Sequence, residues 1–173
     1  MKILRITAQG LPLFKDVLDL KFYAQQRVTD KDKDNLYHLF SNVYLNPTSS
    51  FIGINASGKT SVLKVLRLAL GIISNEPINH ISTKQILGNT KQTVFNVYFY
   101  CEERNEIGRL ETVITSKVTK TEGLVYRIVS ERLWTKGVEE IFTRKSMLDF
   151  NDKQLVLVRD GQDDFLSDDV SIM

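Results

Sequence analysis

The chain has 173 residues, enough to bury a core as one domain, and a hydrophobic content of 42% excludes a disordered polymer. Its 23 basic and 21 acidic residues leave a net charge of +2, so no domain-wide basic field points to nucleic acid. Cys101 is the only cysteine, which removes disulfide frameworks and cysteine zinc sites; the N-terminus lacks a signal-peptide core and no stretch nears the roughly 18 apolar residues of a membrane span, so the chain reads as cytoplasmic.

Residues 2–8 and 17–23 predict two strands joined through Gly10-Leu11-Pro12, and an antiparallel pair is the economical arrangement. The charged run Thr29 to Asn35 predicts a solvated loop. Asp30, Asp32 and Asp34 imitate the start of a calcium loop, but no glycine or terminal glutamate follows at the required spacing and the intervening lysines oppose a cation. Periodicity leaves Leu36 to Leu45 open between helix and strand. His38 and His80 share no ligand spacing with other residues and read as ordinary histidines. Asn46-Pro47-Thr48 is a turn leading to a short β-prone run, Ser50-Phe51-Ile52.

Gly53-Ile54-Asn55-Ala56-Ser57-Gly58-Lys59-Thr60 then fits G-x-x-x-x-G-K-[ST] without a mismatch. The spacing suits a polyphosphate. Glycines let backbone N–H groups crowd around phosphate oxygens, Lys59 brings a mobile charge to the β- and γ-phosphates, Thr60 brings a hydroxyl to Mg²⁺, and a helix N-terminus faces the anion. Ser61 to Ile73 predicts that helix. Its charges are Lys64 and Arg67 alone, so burial over most of its circumference is expected, with a stop at Asn75-Glu76-Pro77.

Residues 78–90 carry loop chemistry with a short helix at Ser82 to Leu87. Thr93 to Cys101, Arg109 to Thr119, Leu124 to Trp134 and Val138 to Phe142 predict four strands in an antiparallel meander, with Trp134, Tyr98 and Tyr100 as core or half-buried sheet residues. Short connections exclude parallel neighbours, and with them an alternating kinase or small-GTPase pattern.

The loop Phe51 to Lys64, with Asn55 and Ser57 giving the G-x-N-x-S-G-K form, resembles the N-terminal part of an ABC-type ATPase head. The branch is that of the chromosome-maintenance, recombination-repair and overcoming-lysogenization-defect ATPases, and within it the bacterial AAA-family ATP-binding proteins, many associated with phage defence. Phe14-Lys15-Asp16, Ser130 to Trp134 and Glu140 to Arg144 support the likeness over about residues 1–145. The resemblance implies an α/β fold, a P-loop NTPase core carrying the antiparallel meander. It also implies ATP on Gly53, Ile54, Asn55, Ala56, Ser57, Gly58, Lys59, Thr60 and Ser61, with Mg²⁺ on Thr60, and a homodimer closing through ATP with a nuclease or other effector as partner. A DNA role is allowed by the likeness and unsupported by the charge.

Departures from the family are as informative. Only Lys15 is available where an arginine often approaches the nucleotide. The serine-glycine signature, the Asp-Glu end of Walker B and the switch histidine are missing. Leu155-Val156-Leu157-Val158-Arg159-Asp160-Gly161 imitates Walker B, but Arg159 intervenes and glycine stands for the catalytic glutamate. Gln154 is a weak match to the glutamine that joins core and helical lobe. Residues 146–173, with Asp160, Asp163, Asp164, Asp168 and Asp169, predict a solvated acidic end or the start of a further half. The expectation is therefore an incomplete ATPase whose turnover depends on further segments and a second subunit. Two alternatives stand beside it: an autonomous small phosphotransferase, for which Arg104, Arg109, Arg127, Arg132 and Arg144 lack a helical lid, and an interaction domain with a vestigial loop.

Overall fold

The computed structural model describes residues 1–54, 58–121, 123–161 and 166–173. Asn55, Ala56 and Ser57 of the phosphate loop, and the acids Asp163 and Asp164, lie outside the described residues.

Eight strands and one α-helix make up a mixed α/β domain dominated by antiparallel pairing among the described residues. The strands are β1 (Lys2–Gln9), β2 (Leu18–Lys21), β3 (Tyr37–Phe40), β4 (Val43–Leu45), β5 (Thr93–Cys101), β6 (Glu106–Thr119), β7 (Gly123–Gly137) and β8 (Leu155–Asp160), and the helix is α1 (Lys59–Ile73). The main sheet has six strands in the order β2-β1-β5-β6-β7-β8, while β3 and β4 pair as a separate hairpin. The open segment Leu36 to Leu45 is thus resolved as two strands, with Ser41 (φ 44°) turning between them.

Alternation along the strands sends Ile6, Ala8, Phe95, Val97, Leu110, Ile114 and Ile128 to one face, where α1 covers them with Val65, Leu68, Ala69 and Ile72. The other face splits in two. Leu4, Tyr98, Tyr100 and Ile107 lie under the β3–β4 hairpin and Met147. Beyond that cover the face is polar, tied across strands by Arg5 to Asp19 at 2.7 Å and Arg109 to Asn96 at 2.8 Å, and along β6 by Arg109 to Glu111 at 2.7 Å. Tyr98 and Trp134 are each 8% exposed and Tyr100 5%, as the strand pattern predicts.

Several expectations need correction. Ser50-Phe51-Ile52 is not a strand. No other described strand lies beside it to take its hydrogen bonds, and Ile52 is 94% exposed. The parallel pairing of a P-loop core therefore has no counterpart among the described residues. Helix α1 is buried on one side only, leaving Leu63, Lys64, Arg67 and Leu70 exposed. Val138–Glu140 is a short 3-10 turn, because Gly137 ends β7 and Glu140 caps the turn by accepting from the Gly137 N–H. The fourth strand of the meander is instead β8, antiparallel to β7.

That pairing also overturns the Walker B likeness. β8 is an edge strand of the antiparallel sheet, Asp160 accepts from Ser130 Oγ at 2.7 Å, and Arg159 turns inward to Glu131. Gln154 bonds Glu140 at 2.9 Å and closes a local cap with Asn151. The described C-terminal acids are not simply solvated: Asp168 pairs with Arg127 at 3.2 Å, and Asp169 accepts from Asn79 at 3.1 Å. Ile172 and Met173 pack against the α1 side of the core.

Candidate phosphate site at the start of helix 1

The local chain explains how the site forms. Gly58 caps α1 in the left-handed region (φ 88°), where a side chain would be strained, and a Cβ there would meet nothing within 4 Å. It is a backbone requirement beside open space. The first turn of α1 carries no acid, and its N-cap, Gly58, has no side chain to offer, so no acidic side chain within that turn offsets the positive end of the helix dipole. Lys59 Nζ donates to the carbonyls of Gly53 and Ile54, each at 2.7 Å, drawing the ammonium back over the entrance of the loop. Thr60 is exposed, and Ser61 half-buried, in the same turn.

These features suit an anion. A phosphate arriving at the helix end would meet the N–H groups of the first turn and could draw Lys59 from the Gly53 and Ile54 carbonyls. For Mg²⁺, Thr60 offers one hydroxyl. Among the described residues no group of three or more His, Cys, Asp or Glu side chains is placed to hold a metal, so most ligands would have to come from phosphate and water, as Mg²⁺ commonly accepts. Asp30 and Asp32 are turned to Lys33 and Thr29. His38 Nε2 contacts the Ser41 carbonyl at 2.9 Å, and His80 is exposed.

A substantial cleft lies elsewhere. About 660 Å³ in volume, it is walled by residues 27–30, the β3–β4 turn and residues 141–144, and none of the described loop residues lines it. Arg27, Ser41 and Asn42 of its lining belong to no motif, so the sequence offered no signal for them.

A mixed α/β domain with a mostly antiparallel sheet, one helix, and a G-x-x-x-x-G-K-T segment at that helix's start is the class that fold and site define. No family model matches the chain, and neither a curated protein nor a solved structure matches it.

Proposed function

We propose that these residues form the ATP-binding half of an ABC/SMC-like ATPase head, a nucleotide-dependent switch. The observation that carries the reading is the unbroken G-x-x-x-x-G-K-T motif at the acid-free, glycine-capped start of a 15-residue helix. Gly53 to Ser61 hold the phosphates, Lys59 moves from the Gly53 and Ile54 carbonyls to the β- and γ-phosphates, and Thr60 holds Mg²⁺. ATP supplies the charge and the transferable phosphoryl group. Turnover depends on Walker B and signature segments that these residues do not contain, and on dimerisation through ATP, which transmits the nucleotide state to an effector such as a nuclease.

An autonomous phosphotransferase is disfavoured by where the arginines go. Arg109, Arg127 and Arg132 pair with Glu111, Asp168 and Asp160, and Arg144 is bound to main-chain carbonyls, so none of these sits on a mobile lid. The test is calorimetric titration with MgATP beside turnover measurements. Wild type binds, Lys59→Ala loses at least about tenfold in affinity, and neither hydrolyses ATP above the other. Absence of binding sinks the site; robust wild-type turnover sinks the half-site.

A further inference from the structure

We propose that the cleft between the β3–β4 hairpin and residues 141–144 is a second, independent binding site for an anion that carries a planar ring, of the nucleoside monophosphate class, with Arg27 on the phosphate and Phe142 against the base. Its volume, about 660 Å³, falls within the roughly 300–1,000 Å³ typical of small-molecule sites. Charge points to an anion. The lining contains Arg27, Lys33 and Arg144 against one acid, Asp30, and Lys33 neutralises that acid at 2.6 Å.

The two arginines have different parts. Arg144 is held in place by three of its five N–H donors, which go to the carbonyls of Ala24 (3.1 Å), Gln26 (2.6 Å) and Gln25 (2.5 Å). It fastens the wall at 24–27 to the wall at 141–144 and leaves its charge in the cleft. Arg27 is exposed and makes no hydrogen bond or ion pair with any described residue, so its planar fork of donors is available for a phosphate.

The apolar part of the cleft fits a flat body. Phe142 is 90% exposed, an unfavourable placement for a phenyl ring that a stacked base would relieve, and Phe40, Val43, Tyr44 and Ile141 continue the apolar lining. Ser41 and Asn42, at the hairpin turn, add a hydroxyl and an amide for ribose or base edges. A cationic fork, an uncovered ring and short polar groups in one cleft match a mononucleotide better than an inorganic anion, which has no use for the ring.

The test is fluorescence anisotropy with N-methylanthraniloyl-AMP, carried out in the Lys59→Ala background so that the phosphate loop does not contribute. Saturable binding is expected, competed by unlabelled AMP and more weakly by inorganic phosphate. Arg27→Ala should weaken it at least about tenfold, equivalent to about 1.4 kcal/mol, and Phe142→Ala by a similar factor. Arg27→Lys keeps the charge but not the fork, so it should fall between wild type and Arg27→Ala. Both residues are exposed, so the variants should keep the parent melting temperature. The proposal fails if no saturable binding occurs up to about 1 mM, or if Arg27→Ala and Phe142→Ala bind as the parent does. Because loss of ATP binding in Lys59→Ala is read separately, this failure and that of the phosphate-loop reading are distinguishable.

Discussion

Glu131→Ala isolates the buried ion pair found among the described residues. Glu131 is 0% and Arg159 5% exposed. One carboxylate oxygen accepts from Thr112 Oγ1 at 2.9 Å and Ser171 Oγ at 2.8 Å; the other accepts from the Ile172 N–H at 2.9 Å and Arg159 Nη1 at 3.5 Å. Arg159 also donates to the carbonyls of Val170 (2.6 Å) and Ser167 (3.1 Å), and its buried Nε has no partner. Removing the carboxylate therefore strands a guanidinium that cannot deprotonate, which costs about 3–5 kcal/mol. Against a total of about 5–15 kcal/mol, that is a large fraction of the stability and a fall in Tm of about 6–20 °C.

Arg159→Met should cost less. Burial, opposed by the surrounding donors, already pushes the Glu131 carboxyl above the usual carboxylate range, so this group can escape by taking a proton. With its folded pKa raised, the stability it contributes is complete below the ordinary carboxylate value and is lost as pH rises through the folded value. Arg159→Met should accordingly gain stability relative to wild type as pH falls from neutral. The double variant Glu131→Ala/Arg159→Met, which removes both members of the buried pair, should recover much of the loss. Urea denaturation of wild type, both single variants and the double variant gives the coupling directly. A loss under about 1 kcal/mol for Glu131→Ala, or a double variant equal to the sum of its singles, refutes the reasoning.

Leu68→Ala, on the covered side of α1, should cost about 2–5 kcal/mol by urea denaturation, whereas Leu70→Gln on the open side should stay within about 0.5 kcal/mol. Gly108→Ala would drive a Cβ into the Phe99 ring and should cost about 1–3 kcal/mol by overpacking, although no unusual backbone angle is involved. Burial raises the Asp19 carboxyl, but the Arg5 and Lys21 contacts outweigh it and hold the pKa below the ordinary value. Its contribution is present above the unfolded pKa and lost as pH falls through the folded one, so Asp19→Asn should flatten the acid limb of a pH–stability profile.

What could be read from the sequence was what neighbouring residues decide. β5 is predicted to the residue because seven of the nine residues from Thr93 to Cys101 are β-branched or aromatic, and α1, expected over Ser61 to Ile73, differs only at its start, Lys59, its end being set where the apolar run stops before Asn75-Glu76-Pro77. Errors fall where a distant partner decides. Val138 to Phe142 has strand-like composition, but Gly137 and the Glu140 cap turn the chain there, and the vacant edge of β7 is taken by Leu155–Asp160. The Walker B likeness failed for the same reason: four aliphatic residues before an acid describe a strand, not its neighbours. Neither Arg144, reaching back to residues 24–26, nor the Glu131–Arg159 pair is announced by any local spacing.

The phosphate loop shows the same division between local and distant cause. Gly58 and Lys59 adopt an anion-ready arrangement because a glycine in the left-handed region and a helix start are local events. The strand that should lead into the loop does not form, because a strand is stabilised by a neighbour and Ser50 to Ile54 has none among the described residues. Ile52 and Ile54, 94% and 83% exposed, lie on one side of the loop, and Leu63 and Leu70, 54% and 43% exposed, on the helix that follows it. On the half-head proposal these residues are where the remainder of the ATPase core packs, which would turn 50–52 into a strand. Lysine substitution at Ile52 or Leu63 should then leave this domain's own stability unchanged while abolishing ATP turnover in the assembled ATPase. Full turnover in these variants would show that the exposed face packs against nothing, and destabilisation by more than about 1 kcal/mol would show that it belongs to this domain's own packing; either outcome refutes the reading.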